Sequence, residues 1–502
     1  MGYDQIAAVD LGSNSFRLQV GRIVGNQIYP LDGLKESVRL AAGLTVGKQL
    51  DAQAQARGLA ALARFGERLR GFEAGAVRAV ATNTLRVAKN ASQFLAAAEM
   101  ALGFPIEVIA GREEARLIYL GVAHTLSNPQ TQQLVVDIGG GSTEFIIGGN
   151  FKPLHLESLY MGCVGYSLRF FPEGRVDKRS MREAELAARS ELQTIEQAYR
   201  RTGWEEAVGS SGTAKAIVDI LELNGFNQGT ERGIERHGLE HLRELLIRSG
   251  DAARLPLQGM RADRVPVLPG GVAIMSAVFR EFGLERMTFS EGALRLGVLY
   301  DLLGRYHHDD LREATVGHFM QRYEVDPRQA ARVLRSVTDF LRQLLPEATN
   351  AADGTEVEDP DVKSLLWAAR LHEIGISVAH SSYHKHSSYI LANADMPGFS
   401  KRDQARLSRL VLAHRGKLER VLPVTQEARD WLLIFCLRLA VLLHRARDDA
   451  PLPDLSVKAD THGYVITVNA DWLRASPLTA AALEDERHQW EMLGMSLRIR
   501  QR

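Results

Sequence analysis

Cys163 and Cys436 are the only two cysteines in 502 residues, and they lie far apart. So few thiols exclude a disulfide scaffold or a thiolate metal cage and suit a reducing compartment. No apolar run reaches the ~18 residues a membrane span needs. The opening residues, MGYDQIAAVDLG, run straight into a strand-like segment without the basic leader and apolar stretch of a secretory signal. A cytoplasmic protein is expected, with peripheral membrane association left open. Neither sign of charge is in excess, because 61 Lys and Arg offset 61 Asp and Glu. A polyanion binder usually carries a basic surface, so the balance lends such a partner no support, and DNA binding is not expected. A hydrophobic share of 45% and a charged share of 24% place the chain among ordinary globular proteins. Its length suffices for two to four domains.

One pattern stands out. Residues 6–24, IAAVDLGSNSFRLQVGRIV, and 134–149, LVVDIGGGSTEFIIGG, share an apolar run, then Asp, an apolar residue and Gly-x-x-Ser, then a second strand-forming run. Each reads as a strand, a tight turn and an antiparallel strand, and two copies imply a duplicated α/β half. Glycines let such a turn approach a ligand closely, and successive backbone N–H groups form an anion-binding nest. Ser13, Asn14, Ser15, Ser142 and Thr143 add donors. Asp10 and Asp137 end buried strands, where a carboxylate can hold hydrated Mg²⁺ beside phosphate oxygens. A plain hairpin with a turn Asp would explain either copy alone; the repetition favours phosphate binding.

Other segments fall in around this pair. Residues 76–86, AVRAVATNTLR, read as a strand and then a helix capped near Thr82 or Asn83. Arg86 in its first turns opposes the helix dipole but is placed to grip a phosphate bound there; a solvated helix arginine is the alternative. Residues 106–122, IEVIAGREEARLIYLGV, read as a strand, a turn and a helix opening with Glu113 and Glu114. First-turn acids usually complement the dipole. Glu114 also shares an apolar face with Ile118 and Val122, which would desolvate it, raise its pKa and suit it to a general base. Residues 207–222, AVGSSGTAKAIVDILE, bring Ser211, Gly212 and Thr213 to a helix start with Lys215 in the first turn, a second kind of phosphate site. It is not a Walker A loop, since G-x-x-x-x-G-K-[ST] is absent. VLPGGVAIMSAVF, 267–279, and MTFSEGALRLGVLYD, 287–301, each read as a turn and then a helix, with Gly270, Gly271 and Gly292 free to make tight turns or approach a ligand.

In that order, AAVDLGSNSFRL, ATNTLR, GREEARLIYLGV, VVDIGGGSTEF, GSSGTAKA, LPGG and SEGALRLGVLY closely resemble the exopolyphosphatase / guanosine pentaphosphate phosphohydrolase family of the actin-like superfamily. LHEIGISVAHSSYHKHSSYILANADMPGF resembles the C-terminal region of its long, proteobacterial-type members. The resemblance implies two actin-like (ribonuclease H-like) α/β domains, 1–125 and 126–303, with the active site in the cleft between them. An all-α HD-like domain, 304–452, and a small α/β domain, 453–502, would follow. It implies Glu114, the second acid of EEAR, as catalytic base. Ser13, Asn14 and Arg86 would contact phosphate from the first half, and Asp137, Gly139, Gly140, Gly141 and Ser142 from the second, with Glu144 joining Asp10 and Asp137 near the metal. The implied activity is Mg²⁺-dependent hydrolysis of terminal phosphates from inorganic polyphosphate by direct water attack, in a homodimer. Conversion of guanosine pentaphosphate to the tetraphosphate is the alternative. A kinase, a chaperone-like ATPase or an inactive nucleotide-binding module of the same superfamily is disfavoured by the Glu114 motif and the intact Asp10, Glu114 and Asp137.

Residues 310–450 read as helical, for example VLRSVTDFLRQLL, with a loop-like acidic stretch at 347–361. The HD-type resemblance is degenerate. Where a metal phosphohydrolase has adjacent His and Asp, this chain has His372-Glu373; His380, His384, His386 and His414 are weighed as metal ligands, but surface histidines of a degenerate domain are expected and no second catalytic metal is assigned. A basic cluster hidden by the net charge lies here: Lys385, His386, Lys401, Arg402, Arg406, Arg409, Arg415 and Lys417 against Asp395 and Asp403. It reads as a solvated helix face or, in the family's terms, as the lining of a groove for a long polyanion that favours processive hydrolysis and weakens with salt. LSVKADTHGYVITVNADWLRA, 455–475, reads as a strand pair turning at Thr461-His462-Gly463, followed by a helix, ALEDERHQWEMLG, and a short strand, SLRIR.

Overall fold

Ile6, Ala7, Ala8 and Val9 have no exposed surface. They form the middle of strand β1 (Gln5–Leu11), whose uninterrupted apolar run suits a strand covered on both faces. In the computed structural model, which describes residues 3–25, 27–126, 128, 130–229, 232–306, 311–349, 359–422, 425 and 427–502, β1 is the centre of a five-stranded sheet. It pairs antiparallel with β2 (Phe16–Val24), which pairs antiparallel with β3 (Gln27–Glu36). On its other side lie β4 (Val77–Ala81) and β5 (Ile106–Val108), both parallel to it, in the order β3-β2-β1-β4-β5.

The second copy of the hairpin repeats this plan. β6 (Gln133–Ile138) pairs antiparallel with β7 (Thr143–Gly149), and β7 with β8 (Lys152–Leu159). β9 (Glu206–Ser210) lies parallel on the far side of β6, followed by β11 (Arg286–Phe289), with β10 (Gly233–Glu235) antiparallel at the edge. Both halves therefore carry a three-stranded meander extended by parallel strands on its first member. The duplication expected from the paired hairpins is present, in the actin-like, ribonuclease H-like topology that the resemblance implies.

Two helices join the halves. Gly111–Ala123 and Leu294–Tyr306 cross so closely that a Cβ on Gly297 would stand 1.7 Å from the Leu117 carbonyl oxygen. The core around them draws Ile6 and Val80 from one half and Val135, Ile146 and Val208 from the other. The boundary expected between 303 and 304 thus cuts a packed helix. The compact unit runs from Met1 to Asp310. The segment expected as a turn at 287 is strand β11. LPGG is the first turn of the helix Leu268–Phe282, where a Cβ on Gly270 would meet the Cys163 carbonyl oxygen at 2.5 Å. Gly270 and Gly297 thus let helices approach closely. The segment Val265–Phe282 is long and apolar enough to cross a membrane, and 78% of it is buried within the fold.

The second unit, Leu311–Arg502, is mainly helical. A sheet of β12 (Ser456–Asp460), β13 (Gly463–Val468) and β14 (Ser496–Gln501) closes it. The turn at Thr461-His462-Gly463 is present, with Gly463 at φ 144°. The sheet is not a separate domain. Tyr464 stacks on Phe435 with ring centroids 4.1 Å apart, and Trp490 packs edge-on against both, in one core that also holds Val316 and Trp367. Fifty residues bury too little surface alone, so these join the helical core. The acidic stretch begins with a short helix, Pro346–Thr349, and its residues 350–358 lie outside the described residues.

Candidate active site

The two hairpin turns meet face to face between the halves. A Cβ on Gly140 would stand 3.0 Å from Ser13 Cβ, and one on Gly141 would stand 2.6 Å from Asn83 Oδ1. Only glycine permits that approach. Thr84 Oγ1 donates to Ser13 Oγ at 2.7 Å, which ties the first turn to the helix Asn83–Val87. Between the turns lies a cavity of about 120 Å³. The first turn contributes Ser13 and Asn14 to its lining, and the second contributes Gly139, Gly140, Gly141 and Ser142. Ser211, Gly212 and Thr213 line it from the N-terminus of the helix Ser211–Leu223. Ser211 takes φ 66°, a conformation that costs a non-glycine residue about 1–3 kcal/mol and clusters at functional sites.

Four acids converge here. Glu114 is 7% exposed and lines the cavity. Its Oε2 accepts from Arg86 Nη1 at 2.8 Å. Burial raises its pKa, and Arg86 opposes that rise. Glu113, by contrast, is bound by Arg116 through two bonds of 2.8 Å, so the two adjacent acids have separate roles. Asp10 is pushed up to about 6 by burial, against the pull of Arg295 and Arg17. Asp137 is raised by burial, while Ser210 Oγ donates to its Oδ2 at 2.6 Å. Glu144 lies well above the carboxylate range through burial, then through Glu114 and Asp137, and accepts from Ser158 Oγ at 2.8 Å.

A divalent cation fits this chemistry. Asp10 Oδ1 is buried with no hydrogen-bond partner, and carboxyls forced toward protonation are what a bound cation relieves. Asp10, Asp137 and Glu144 do not form a closed ligand set, however. Among the described residues no three His, Cys, Asp or Glu side chains converge as a metal cage. Mg²⁺ needs no such cage, because it takes one or two carboxylates and completes its shell with water and phosphate oxygens.

Two expected phosphate ligands point elsewhere. Arg86 is not part of the cavity lining; it donates to Glu114 and to the Ile109 carbonyl at 2.9 Å, so it holds the acid rather than standing free for an anion. Lys215 is held by Glu291 at 2.6 Å, outside the lining. Three arginines absent from the expected set take their place. Arg17, Arg264 and Arg295 all line the cavity. Arg17 falls to about 10 through burial and then through Arg295, with Arg264 adding. A Cβ on Gly212 would stand 2.1 Å from Arg264 Nη2, so that guanidinium lies against the start of a helix. Cations crowded together at a helix N-terminus are unfavourable unless an anion joins them. Arg17 was findable, since it pairs with Asp10 across a hairpin of readable register; Arg264 comes from an irregular loop with no pattern.

In the second unit the basic residues form no single cluster. The helices Tyr383–Asn393 and Lys401–Ala413 run antiparallel, with Gln404 Nε2 donating to the Leu391 carbonyl and Ser388 Oγ 2.9 Å from Ser408 Oγ. Lys385, His386 and Arg415 therefore lie at one end and Lys401 and Arg402 at the other, about 16 Å away at 1.5 Å per residue. Arg415 lies over the Tyr383 ring at 5.0 Å. Arg406 pairs with Asp361 and Asp430, and Arg409 with Asp430. Sequence proximity could not reveal these acids from other helices. Nor are the histidines all on the surface. His372, His384 and His414 are 0%, 7% and 2% exposed. His372 and His414 bond through Nδ1 to carbonyls three residues back, at 2.8 and 2.5 Å, while His372 Nε2 is buried without a hydrogen-bond partner, and burial lowers both pKa values.

Comparison with known proteins follows the same division. The Ppx/GppA phosphatase family matches residues 19–306, and Ppx/GppA phosphatase domain III matches residues 311–487. An exopolyphosphatase from Cytophaga hutchinsonii is 25% identical, with a TM-score of 0.55, over 60% of this chain and 98% of its own. The Aquifex aeolicus member of the Ppx/GppA family is 24% identical, with a TM-score of 0.51, over 61% and 99%, and shares the fold. A match that spans both sheets and continues into the helical unit makes the chain a member of the Ppx/GppA phosphatase family.

Proposed function

We propose that the chain is an exopolyphosphatase that removes terminal phosphates from inorganic polyphosphate. The observation that carries this reading is the division of charge in one cavity. Acids, led by Glu114, gather beside the facing glycine turns, while Arg17, Arg264 and Arg295 share the cavity with a helix N-terminus. A chain of linked phosphates offers an electrophile to the first group and further anions to the second. The Cytophaga hutchinsonii relative is an exopolyphosphatase, which agrees.

Water attacks the terminal phosphorus while Glu114 accepts its proton. Arg86 keeps the Glu114 carboxyl oriented and resists its protonation. The new bond joins the water oxygen to phosphorus, and the bond to the bridging oxygen breaks. The shortened chain leaves as an anion, for which Arg17, Arg264 and Arg295 supply countercharge. Backbone N–H groups of the two turns and Ser13, Asn14 and Ser142 cradle the transferred group. Mg²⁺ held by Asp10 and Asp137 would neutralise charge on that group. A phosphoanhydride is a good leaving group, so positioning and electrostatics suffice without a covalent intermediate.

The test is phosphate release, with Mg²⁺, from long-chain polyphosphate, guanosine pentaphosphate and ATP at matched concentrations of chain ends. Faster release from polyphosphate is expected. Preference for guanosine pentaphosphate would make the protein the nucleotide phosphohydrolase of the same family instead.

A further inference from the structure

The strands that build the cavity also carry charge away from it. Asp10 on β1 pairs with Arg17 on β2, and Arg17 pairs with Lys35 on β3. Directly paired residues project from one face of a sheet, about 5 Å apart. A carboxylate, a guanidinium and an ammonium therefore step outward from the cavity to the sheet edge. Arg17 lines the cavity and Lys35 lies beyond it. Lys35 Nζ reaches across the cleft to Asp263 Oδ2 of the other half, at 2.9 Å. The pair is partly buried, with side-chain exposures of 29% and 24%.

Asp263 does not depend on Lys35. Arg261 Nε lies 3.2 Å from it and Arg264 Nε 3.9 Å. Lys35, for its part, is held near Arg17 and Arg264, whose charges disfavour its own after burial has done so. Asp10 and Asp137 act on Arg17, Asp10 on Arg295, and Asp263 on Lys35 and Arg264, so four cations stand along this row beside three acids. An anion arriving at Lys35 would relieve the crowding and leave Asp263 still paired.

We infer that Lys35 is a specificity-determining residue that reads substrate length. Phosphates beyond those held by Arg17, Arg264 and Arg295 replace Asp263 as its partner. This rests on the phosphoanhydride hydrolase reading above. The Lys35–Asp263 pair closes the cleft edge over short substrates and opens for long ones.

The experiment compares wild type, Lys35→Gln and Asp263→Asn on pyrophosphate, tripolyphosphate, tetrapolyphosphate and long-chain polyphosphate, with folding checked by circular dichroism. Lys35→Gln is expected to raise KM for the long chain about ten-fold, the worth of one charge-assisted hydrogen bond, and to change the short end of the series much less. Asp263→Asn frees Lys35 and is expected to shift KM for long chains the opposite way. An equal change at every length, or none, overturns the inference. Binding of long-chain polyphosphate to Glu114→Gln protein, with and without Lys35→Gln, is measured by calorimetry in parallel. If wild type hydrolyses none of these substrates, the proposed function falls, and this binding comparison still judges Lys35: a roughly ten-fold loss supports it, and equal affinity or no binding at all overturns it.

Discussion

At the residue scale, Glu114 is held between two opposed influences. Burial favours its protonated form, and the Arg86 guanidinium at 2.8 Å favours the charged one. Burial would give Glu114 the proton affinity that the proposed base needs, while Arg86 favours its charged form. Glu114→Gln should therefore lower kcat at least 10²-fold while substrate still binds; calorimetry beside phosphate-release kinetics checks this, and near-normal turnover would remove Glu114 as the base. Asp10 gives a pH prediction. A carboxyl raised from 3.8 to about 6 stabilises the folded chain at low pH, and that contribution is lost as pH climbs through the folded value. In chelator, thermal stability should fall between pH 4 and 6, and Asp10→Asn should flatten the fall. Added Mg²⁺ should raise the melting temperature above pH 6 in wild type more than in Asp10→Asn; an equal rise in both would count against Asp10 as a ligand. Much of this site was legible along the chain, because the helical spacing of Glu114, Ile118 and Val122 already placed an acid on an apolar face. Arg86 was legible as a site residue but not in its role, since nothing local says that its partner is Glu114.

At the element scale, the crossing of Gly111–Ala123 and Leu294–Tyr306 aligns the two halves. Its glycines bring the backbones into contact, and a buried charge network sets the alignment. Arg116 binds Glu113 and Asp301, and Asp301 also accepts from Arg78 Nη1 at 2.6 Å. All four residues are less than 10% exposed. Removing one member of a buried ion pair strands its partner and costs about 3–5 kcal/mol. Arg116→Met should destabilise by that amount in urea unfolding, and kcat should fall because the helix bearing Glu114 loses its anchor. A loss under 1 kcal/mol would show that the network does not align the helices. The hairpins and the helices that follow the glycine turns could be read from the chain, whereas the helices Ala52–Arg68, Lys178–Thr202 and Arg236–Ser249 were not read. β11, four residues long, could not be, since so short a run lacks a period of its own and exists because β9 pairs with it.

At the scale of the whole molecule, each unit has its own cores. Residues 1–310 expressed alone should fold cooperatively and hydrolyse short phosphoanhydrides, because every cavity residue lies within them; an insoluble or inactive fragment would mean that the second unit is needed for folding or catalysis. The chain itself determined the duplicated hairpin, the glycine turns, the acid on an apolar helix face and hence the family, since each is a local pattern within one element or its repeat. Tertiary structure alone decided that Arg17, Arg264 and Arg295 share a cavity, that Lys35 reaches Asp263, that Arg406 and Arg409 are neutralised by acids from other helices, and that β12–β14 join the helical core. The physical reason is common to all of these. Charges and apolar faces find partners by distance in space, and residues tens or hundreds of positions apart carry no shared period that would announce the meeting.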